Sequence, residues 1–275
     1  MEPAPGPENV DRVASGAVDF CLTSVSHFLH AQQRRPLPAR FVAVVVQRSP
    51  MAGLVAADSD VWSPADLCGR RIGAPADGGL LAEYQAALAG RGLPGSRLVS
   101  MSYEDAPAAL GRGEIDIVPD FVDLLPRTRR QAGVPLRAVA VGLETYASGL
   151  VAGDSLSVNL VEQMRSAILA ALQRQRSDPG GGISALCDRY PGVDPVDALE
   201  GWCLAEPNIF ASTGLGSMDA ARWWFTLEHL TRAHGLAPSQ PETVYRSEFL
   251  TAWNEGPSGQ GAPRHVERVR TEPGI

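Results

Sequence analysis

The alternation of apolar and polar residues is most regular between residues 70 and 143. Strands are predicted at 70–75, 97–101, 115–121 and 136–143, and helices at 80–93, 104–113 and 122–133, the last interrupted near Pro126. Strands that alternate with helices of this length form βαβ units. The block is therefore predicted to be one complete α/β lobe with a mainly parallel sheet.

The flanking regions differ from this block. Before it, the pattern predicts a helix at 8–16, a strand at 17–22, a helix at 26–35 and a strongly apolar strand at 40–47. After it, helices are predicted at 160–177, 218–235 and about 241–254, followed by a loose tail at 255–275 that carries little apolar surface. Asn159 and Ser217 are the predicted N-caps, Asp178-Pro179 stops the first of these helices, and Gly235 ends the second.

One phrase occurs twice, as GLVAADS at 53–59 and GLVAGDS at 149–155. Each copy reads as a short apolar strand followed by a turn, and the two copies bracket the complete lobe. We interpret them as two antiparallel crossing strands of a hinge with a cleft between two lobes; chance repetition of common residues is the alternative. The predicted division is 8–58 with 150–254 as lobe I, and 59–149 as lobe II.

Charge and amino-acid composition exclude several kinds of partner and cofactor. With 24 basic and 31 acidic residues the net charge is −7, which argues against nucleic acid as the main partner. The chain contains no lysine, so a Schiff base with pyridoxal phosphate is excluded and no cofactor is predicted. The four cysteines lack C-x-x-C spacing, so no metal site is predicted either.

Targeting signals are also missing from the sequence as written. Its start, MEPAPGPENV, lacks the basic and apolar regions of a signal peptide, and no apolar run approaches the length of a membrane span. The predicted location is the cytoplasm.

Four stretches carry a resemblance to a known family: SGAVDF (15–20), GLVAADSDVWSPADLCGRRIGAP (53–75), LGRGEIDIVPDF (110–121) and GLETYASGLVAGDSL (142–156). In these stretches the chain resembles the type II periplasmic-binding-protein superfamily, in its sulfonate-binding and thiamine-pyrimidine-synthase-like branch. The resemblance implies a two-lobed α/β fold with a hinge, and one small organic ligand held in the cleft between the lobes.

The sequence departs from the family pattern ahead of the SGAVDF segment. Such proteins usually have a strand, a helix and a second strand ahead of the segment that matches SGAVDF, whereas seven residues precede the first predicted helix here. The expectation is that lobe I lacks this unit, that a partner chain supplies it, or that the start site is misplaced.

Three loops at the carboxyl ends of predicted strands are the candidate ligand site, because open parallel sheets bind ligands there. Helix capping is the competing explanation for the individual polar residues, above all for Ser26 and Asp77. The second loop also precedes a helix whose amides are suited to hold an anion. The candidate binding residues are Thr23, Ser24, Ser26 and His27 from the first loop, Asp77, Gly78 and Gly79 from the second, and Asp120 and Phe121 from the third.

His27 is the candidate catalytic residue if the protein is an enzyme. In the pyrimidine-synthase branch a histidine falls at this place with a lysine four residues earlier, but Thr23 occupies that earlier position here.

Cys21, His27 and His30 superficially suggest a metal or nucleophile site, and packing is the favoured explanation. His229 and His234 are expected to be capping or solvated, and Trp223-Trp224 to be core or interlobe residues.

The sequence thus favours binding of a small organic molecule in the manner of an ABC-transporter solute receptor, with an ABC permease or a complementing chain as the possible protein partner. The second hypothesis is a cytoplasmic biosynthetic, desulfinase or pyrimidine-synthase-type enzyme on the same scaffold, since fold does not settle function. A third hypothesis is a degenerate partner subunit without its own pocket.

Overall fold

The structure is a computed structural model that describes residues 6–211 and 214–250. The strands are β1 (Phe20–Ser24), β2 (Ala39–Val46), β3 (Met51–Ala56), β4 (Arg71–Ala74), β5 (Arg97–Ser100), β6 (Val118–Phe121), β7 (Leu136–Ala140) and β8 (Ser148–Gly153). The helices are α1 (Gly6–Ala14), α2 (Val25–Arg34), α3 (Gly79–Ala89), α4 (Ala106–Gly111), α5 (Leu125–Ala132), α6 (Val158–Ser177), α7 (Pro179–Arg189), α8 (Pro195–Ile209), α9 (Ala220–His234) and α10 (Pro241–Val244). Short 3₁₀ turns lie at Pro64–Leu67, Val122–Leu124 and Ser247–Phe249.

The strands form two lobes, and each lobe has one reversed strand in the middle. In lobe I the order is β1-β8-β2, with β8 antiparallel to both neighbours. In lobe II the order β6-β3-β7 is likewise antiparallel around β3, and the parallel pair β4-β5 joins β6 through a bridge between Ile72 and Ile117. The four strands of the block predicted at 70–143 run in the same direction, as expected of a mainly parallel sheet, and the reversed strand β3 precedes that block.

The repeated phrase marks these two central strands. GLVAADS begins within β3 and GLVAGDS within β8, and the two strands pair within different sheets rather than with each other. The interpretation as crossing strands is therefore wrong. The chain crosses between lobes just before each phrase, at 47–50 and 141–147, which we call the crossing segments. Strand pairing also puts β3 in lobe II, so the boundary predicted after residue 58 falls one strand too late.

Each lobe has its own apolar core. In lobe I, Trp223 of α9 is fully buried and stacks on Tyr245 with ring centroids 5.3 Å apart, while Phe41 and Tyr146 pack on it at 5.3 and 5.0 Å. Aromatic pairs of this kind contribute about 0.5–1.5 kcal/mol beyond their buried area. Trp224, the neighbouring residue, is 56% exposed, so of the two roles predicted for the tryptophan pair, core or interlobe contact, the core role applies to Trp223 and not to Trp224.

In lobe II, β3 separates two apolar clusters. Met51 and Val55 face the cluster beneath α3, whereas Ala52 and Leu54 face the cluster beneath α4 and α5. This alternation is the two-residue period of a strand buried on both faces. It explains why the segment is apolar throughout.

The carboxyl-terminal helices depart from the sequence predictions at their ends. The side chain of Ser157, not Asn159, accepts the N-capping hydrogen bond of α6, and that of Asp219, not Ser217, caps α9. Gly235 ends α9 in the left-handed conformation, as predicted. In both corrected cases the residue that precedes the first helical turn carries the suitable acceptor.

Two helices, α7 and α8, were not predicted at all. Asp178 ends α6 and caps α7, so Pro179 starts a helix as well as stopping one. Helix α8 contacts both lobes: Leu204 joins a lobe II cluster and Glu200 pairs with Arg129 at 2.5 Å, while Glu206 pairs with Arg176 of α6 at 2.7 Å. Only tertiary contacts reveal this placement.

Smaller differences occur elsewhere. The helix predicted at 122–133 is a 3₁₀ turn followed by α5, with Pro126 in the first turn of α5 rather than at a break. The helix predicted at 241–254 is reduced to α10 and a 3₁₀ turn; positions 251–254 and the predicted tail at 255–275 lie outside the described residues.

Strand β1 lies at an edge of its sheet in the described part of the chain. Among the described residues, no helix is long and apolar enough to cross a membrane.

The first glycine of each repeated phrase lies at a close approach between elements. A Cβ at Gly149 would overlap the backbone carbonyl oxygen of Ala43 on β2, whereas a Cβ at Gly53 would meet the side chain of Leu67 at 2.9 Å. At Gly153 the nearest atoms lie 4.0 Å away. We expect Gly149→Ala to lower the free energy of unfolding by about 1–3 kcal/mol, because a backbone clash cannot relax locally.

Gly53→Ala should cost less, since a leucine side chain can move, and Gly153→Ala should change little and is the matched control. Urea denaturation of the three variants tests this order. Equal losses at 149 and 153 would contradict it.

Candidate functional site

A cavity of about 390 Å³ lies between the two lobes. Both lobes and both crossing segments contribute to its wall. The lining residues are Ser24, Ser26, His27, His30, Ser49, Gly79, Leu80, Glu83, Phe121, Thr145, Tyr146, Ala147, Leu230 and His234.

The first loop of the site is the start of α2. Ser24 is its N-cap, and the backbone N–H of His27 donates to Ser24 Oγ at 3.1 Å. Ser26 Oγ lies 3.3 Å from Ser24 Oγ, so the two hydroxyls are adjacent at the cavity wall. Ser24 therefore both caps the helix and lines the cavity.

Thr23 does not line the cavity; its hydroxyl is buried and has no hydrogen-bond partner within the described residues.

The crossing segments form another part of the wall. The backbone N–H of Ala147 donates to the carbonyl of Val46 at 3.1 Å, and the N–H of Val25 donates to the carbonyl of Ala147 at 2.9 Å. The hydroxyl of Tyr146 accepts a hydrogen bond from the backbone N–H of Asp219 at 2.9 Å. These bonds hold the second crossing segment against β2, α2 and α9.

The second predicted loop contributes Gly79 to the cavity, whereas Asp77 and Gly78 do not line it. Asp77 is exposed. The hydroxyl of Tyr103 accepts a hydrogen bond from the N–H of Leu81 at 3.3 Å, and only a glycine at position 78 leaves room for it. Tyr103 therefore takes up part of the helix start that the sequence suggested for an anion.

The third predicted loop contributes Phe121 but not Asp120. Asp120 accepts hydrogen bonds from the N–H of Phe121 at 2.9 Å and from the hydroxyl of Thr128 at 3.0 Å. Burial raises the pKa of this carboxyl, and the two hydrogen bonds act in the opposite direction. Asp120 is thus directed toward α5 instead of the cavity.

The histidines gather where α2, α3 and α9 meet. His234 Nε2 lies 2.8 Å from Glu83 Oε1, and the rings of His234 and His30 are in edge contact at 4.7 Å. Burial lowers the pKa of His27 and of His30, and the charge of Glu83 raises both more weakly. The prediction that His234 is solvated or capping is wrong, because its side chain is only 5% exposed.

The possible metal or nucleophile site at Cys21, His27 and His30 finds no support in the geometry. Within the described residues, no group of three or more histidine, cysteine or carboxylate side chains is placed to hold a metal ion. Burial raises the pKa of Cys21 to about 12, so its thiol stays protonated at neutral pH and is a poor nucleophile.

Several lining residues were not predicted by sequence reasoning. Glu83 and Leu230 lie in mid-helix, where nothing in the pattern separates them from ordinary amphipathic positions. Ser49 and Thr145 lie in the crossing segments, which the twin-strand interpretation placed elsewhere. The spacing of His27 and His30 is visible in the sequence, whereas the contact between His30 and His234 depends on the packing of α2 near α9.

These features define a class of protein: two α/β lobes joined by two crossing segments, with a cavity between them. Solved structures share this fold. The periplasmic aliphatic sulphonate binding protein SsuA from Escherichia coli is 15% identical with a TM-score of 0.69, covering 97% of this chain and 87% of that one. The alkanesulfonate-binding protein SsuA from Xanthomonas axonopodis pv. citri, bound to MOPS, is 18% identical with a TM-score of 0.59, covering 88% and 85%.

A DszB mutant in complex with biphenyl-2-sulfinic acid is 17% identical with a TM-score of 0.59, covering 89% of this chain and 87% of that one. A family model described as NMT1/THI5 like matches residues 1–180. The chain therefore belongs to the NMT1/THI5-like family and has the two-lobed periplasmic-binding-protein fold. Among curated protein sequences no match was found.

The lowered pKa values predict how stability depends on pH. His27, His30 and His229 resist protonation in the folded protein because they are buried. The unfolded chain takes up protons near the ordinary histidine pKa of about 6.5, so it binds more protons than the folded chain below that pH. The contribution of these groups to the free energy of unfolding is therefore complete above about pH 7 and is lost on acidification.

We expect the double variant His27→Gln/His30→Gln to lose less stability than the parent protein between pH 7.5 and 5.5. Urea denaturation of both proteins at the two pH values measures the difference, and the carboxyl groups common to both proteins largely cancel. An equal loss in both proteins would contradict the assignment.

Proposed function

We propose that the protein binds a small organic molecule in the interlobe cavity, in the manner of the solute-binding component of an ABC transporter. The observation that carries the proposal is the composition of the wall, which both lobes and both crossing segments supply. A ligand in such a cavity contacts every part of the molecule that lobe movement rearranges. Binding can then be coupled to the relative position of the lobes.

The lining suggests what kind of molecule fits. Phe121, Leu80 and Leu230 offer apolar surface, while the hydroxyls of Ser24, Ser26, Ser49 and Thr145 offer hydrogen bonds. Ligand sites are commonly apolar with a few polar groups that fix orientation. We therefore propose a molecule with an apolar body and one polar end. The sulfonate ligands named for the two SsuA proteins have this character and support the proposal.

An enzyme on the same scaffold is the second candidate. Its supporting observations are the similarity to DszB and the position of His27 in the cavity wall. The raised pKa of the Cys21 thiol weighs against nucleophilic catalysis by that cysteine. A permease or a complementing chain as protein partner, and a cytoplasmic location, stay predictions.

The ligand itself is the most direct test. Native mass spectrometry of the protein as purified, followed by extraction and identification of any bound molecule, should reveal one small organic compound per chain. A chain that carries none, and that binds nothing from a fractionated extract of small metabolites, would contradict the proposal.

With the ligand in hand, His27→Ala should weaken binding by about 1–3 kcal/mol, the usual cost of an unpaired buried polar group. Asp77→Ala is the matched control and should leave binding unchanged, because Asp77 is exposed and does not line the cavity. Calorimetric titration of both variants measures the difference. Wild-type affinity in the His27 variant would remove that residue from the site.

The His27→Ala variant also distinguishes the two candidate functions. A receptor loses affinity only, whereas an enzyme that uses His27 as acid or base should lose roughly 10²–10⁴ in turnover while it keeps most of its binding. Assaying each titrated mixture for product distinguishes the two outcomes.

A further inference from the structure

One hydrogen bond connects the two lobes on the side wall of the cavity. Glu83 belongs to α3, whose apolar face is part of the lobe II core, and His234 belongs to α9, whose apolar face is part of the lobe I core. Glu83 Oε1 and His234 Nε2 are 2.8 Å apart, and the two side chains are 15% and 5% exposed. We call these two residues the interlobe pair.

The ring of His234 is enclosed by both lobes. On the lobe II side it lies over Gly79, where a Cβ would come within 3.3 Å of His234 Cε1. On the lobe I side it meets His30 edge to face, with the ring planes at 72°. The interlobe pair is therefore a packed contact, unlike an exposed ion pair between two flexible side chains, which contributes little.

The interlobe pair lies far from the place where the lobes are joined. At the other end of α9, the guanidinium of Arg222 donates to the carbonyl oxygens of Gln47 and Glu144, one in or beside each crossing segment. His234 lies twelve positions after Arg222 in α9, a distance of about 18 Å at about 1.5 Å per residue. A bond at that distance resists lobe opening more effectively than one at the crossing segments.

The carboxyl-terminal helices make another contact with lobe II through α8. Helix α8 packs on the 3₁₀ turn at Val122–Leu124 and on α5, where Glu200 pairs with Arg129 at 2.5 Å. The carbonyl of Asn208 near its end accepts a hydrogen bond from the N–H of Arg48 at 3.1 Å. None of these residues lines the cavity, whereas both members of the interlobe pair do, so an opening of the cavity has to separate that pair.

We propose that the interlobe pair holds the two lobes together when the cavity is empty, so that a ligand enters or leaves only after the bond between Glu83 and His234 breaks. The role of the pair in ligand exchange rests on the proposed function; its role in holding the lobes together does not. Both residues also line the cavity, so a bound molecule lies against the pair and can compete for either side chain.

The distance between the lobes is the direct measurement. Spin labels attached through p-acetylphenylalanine at Ala89, at the exposed end of α3, and at Ala237, which is exposed just after α9, report it by double electron–electron resonance. This chemistry leaves the native cysteines in place. The protein is first freed of ligand by urea unfolding, dialysis and refolding, and circular dichroism verifies the fold of every variant.

We expect the emptied parent protein to give mainly the short distance. Glu83→Ala should raise the ratio of open to closed molecules about 10-fold or more, the effect of losing one hydrogen bond to a charged group. Glu228→Ala is the matched control: it removes a salt bridge to Arg232 within α9 and touches no residue of the interlobe pair. The control should shift the ratio less than twofold.

Glu83→Gln keeps an acceptor oxygen and should give an intermediate ratio, which also serves if the alanine variant does not fold. A parent protein that is open when empty, or a Glu83→Ala variant with the parent's distances, overturns the proposal. Neither result bears on whether a ligand is found in the purified protein. Failure of the proposed function is thus distinguishable from failure of this inference.

Discussion

The junction between the lobes depends on one side chain of α9, which contacts both crossing segments. Arg222, near the start of α9, donates hydrogen bonds to the carbonyl oxygens of Gln47 and Glu144 and so connects both chain crossings to a single helix. Burial of the guanidinium disfavours its charge, and the neighbouring Tyr146 and Glu144 offset this cost. The contact places α9 along the cavity, with its first turn at the crossings and its last turn against lobe II.

The path of the chain follows from the two crossings. Each crossing delivers the chain directly into a strand that runs against its neighbours and becomes the centre of a sheet, first β3 and then β8. A central strand is apolar on both faces and has close neighbours, which are the backbone of Ala43 at Gly149 and the side chain of Leu67 at Gly53. The same solution, a glycine followed by leucine, valine and alanine, therefore appears twice. The repeat records an equivalent position in two lobes.

The residues predicted for the site from the sequence only partly coincide with those that line the cavity. Ser24, Ser26, His27, Gly79 and Phe121 lie at strand ends, where the topology of an open sheet directs attention, and the structure brings them to one wall. Thr23, Asp77, Gly78 and Asp120 lie at the same strand ends and are directed elsewhere: toward the interior, the solvent, Tyr103 and Thr128. Strand position brings a residue near the site, whereas side-chain direction depends on local hydrogen bonds that the pattern does not contain.

The sequence by itself determined the α/β class, nearly every element of lobe II, the family resemblance and the absence of lysine chemistry. These are properties of local periodicity and of residue types, which do not depend on distant contacts. Only the tertiary structure decided that the repeated phrases are central strands, that α8 packs on lobe II and that Glu83 meets His234. The last contact joins residues 151 positions apart in the chain. Such contacts depend on how two lobes pack against each other, and nothing in a short stretch of sequence records that.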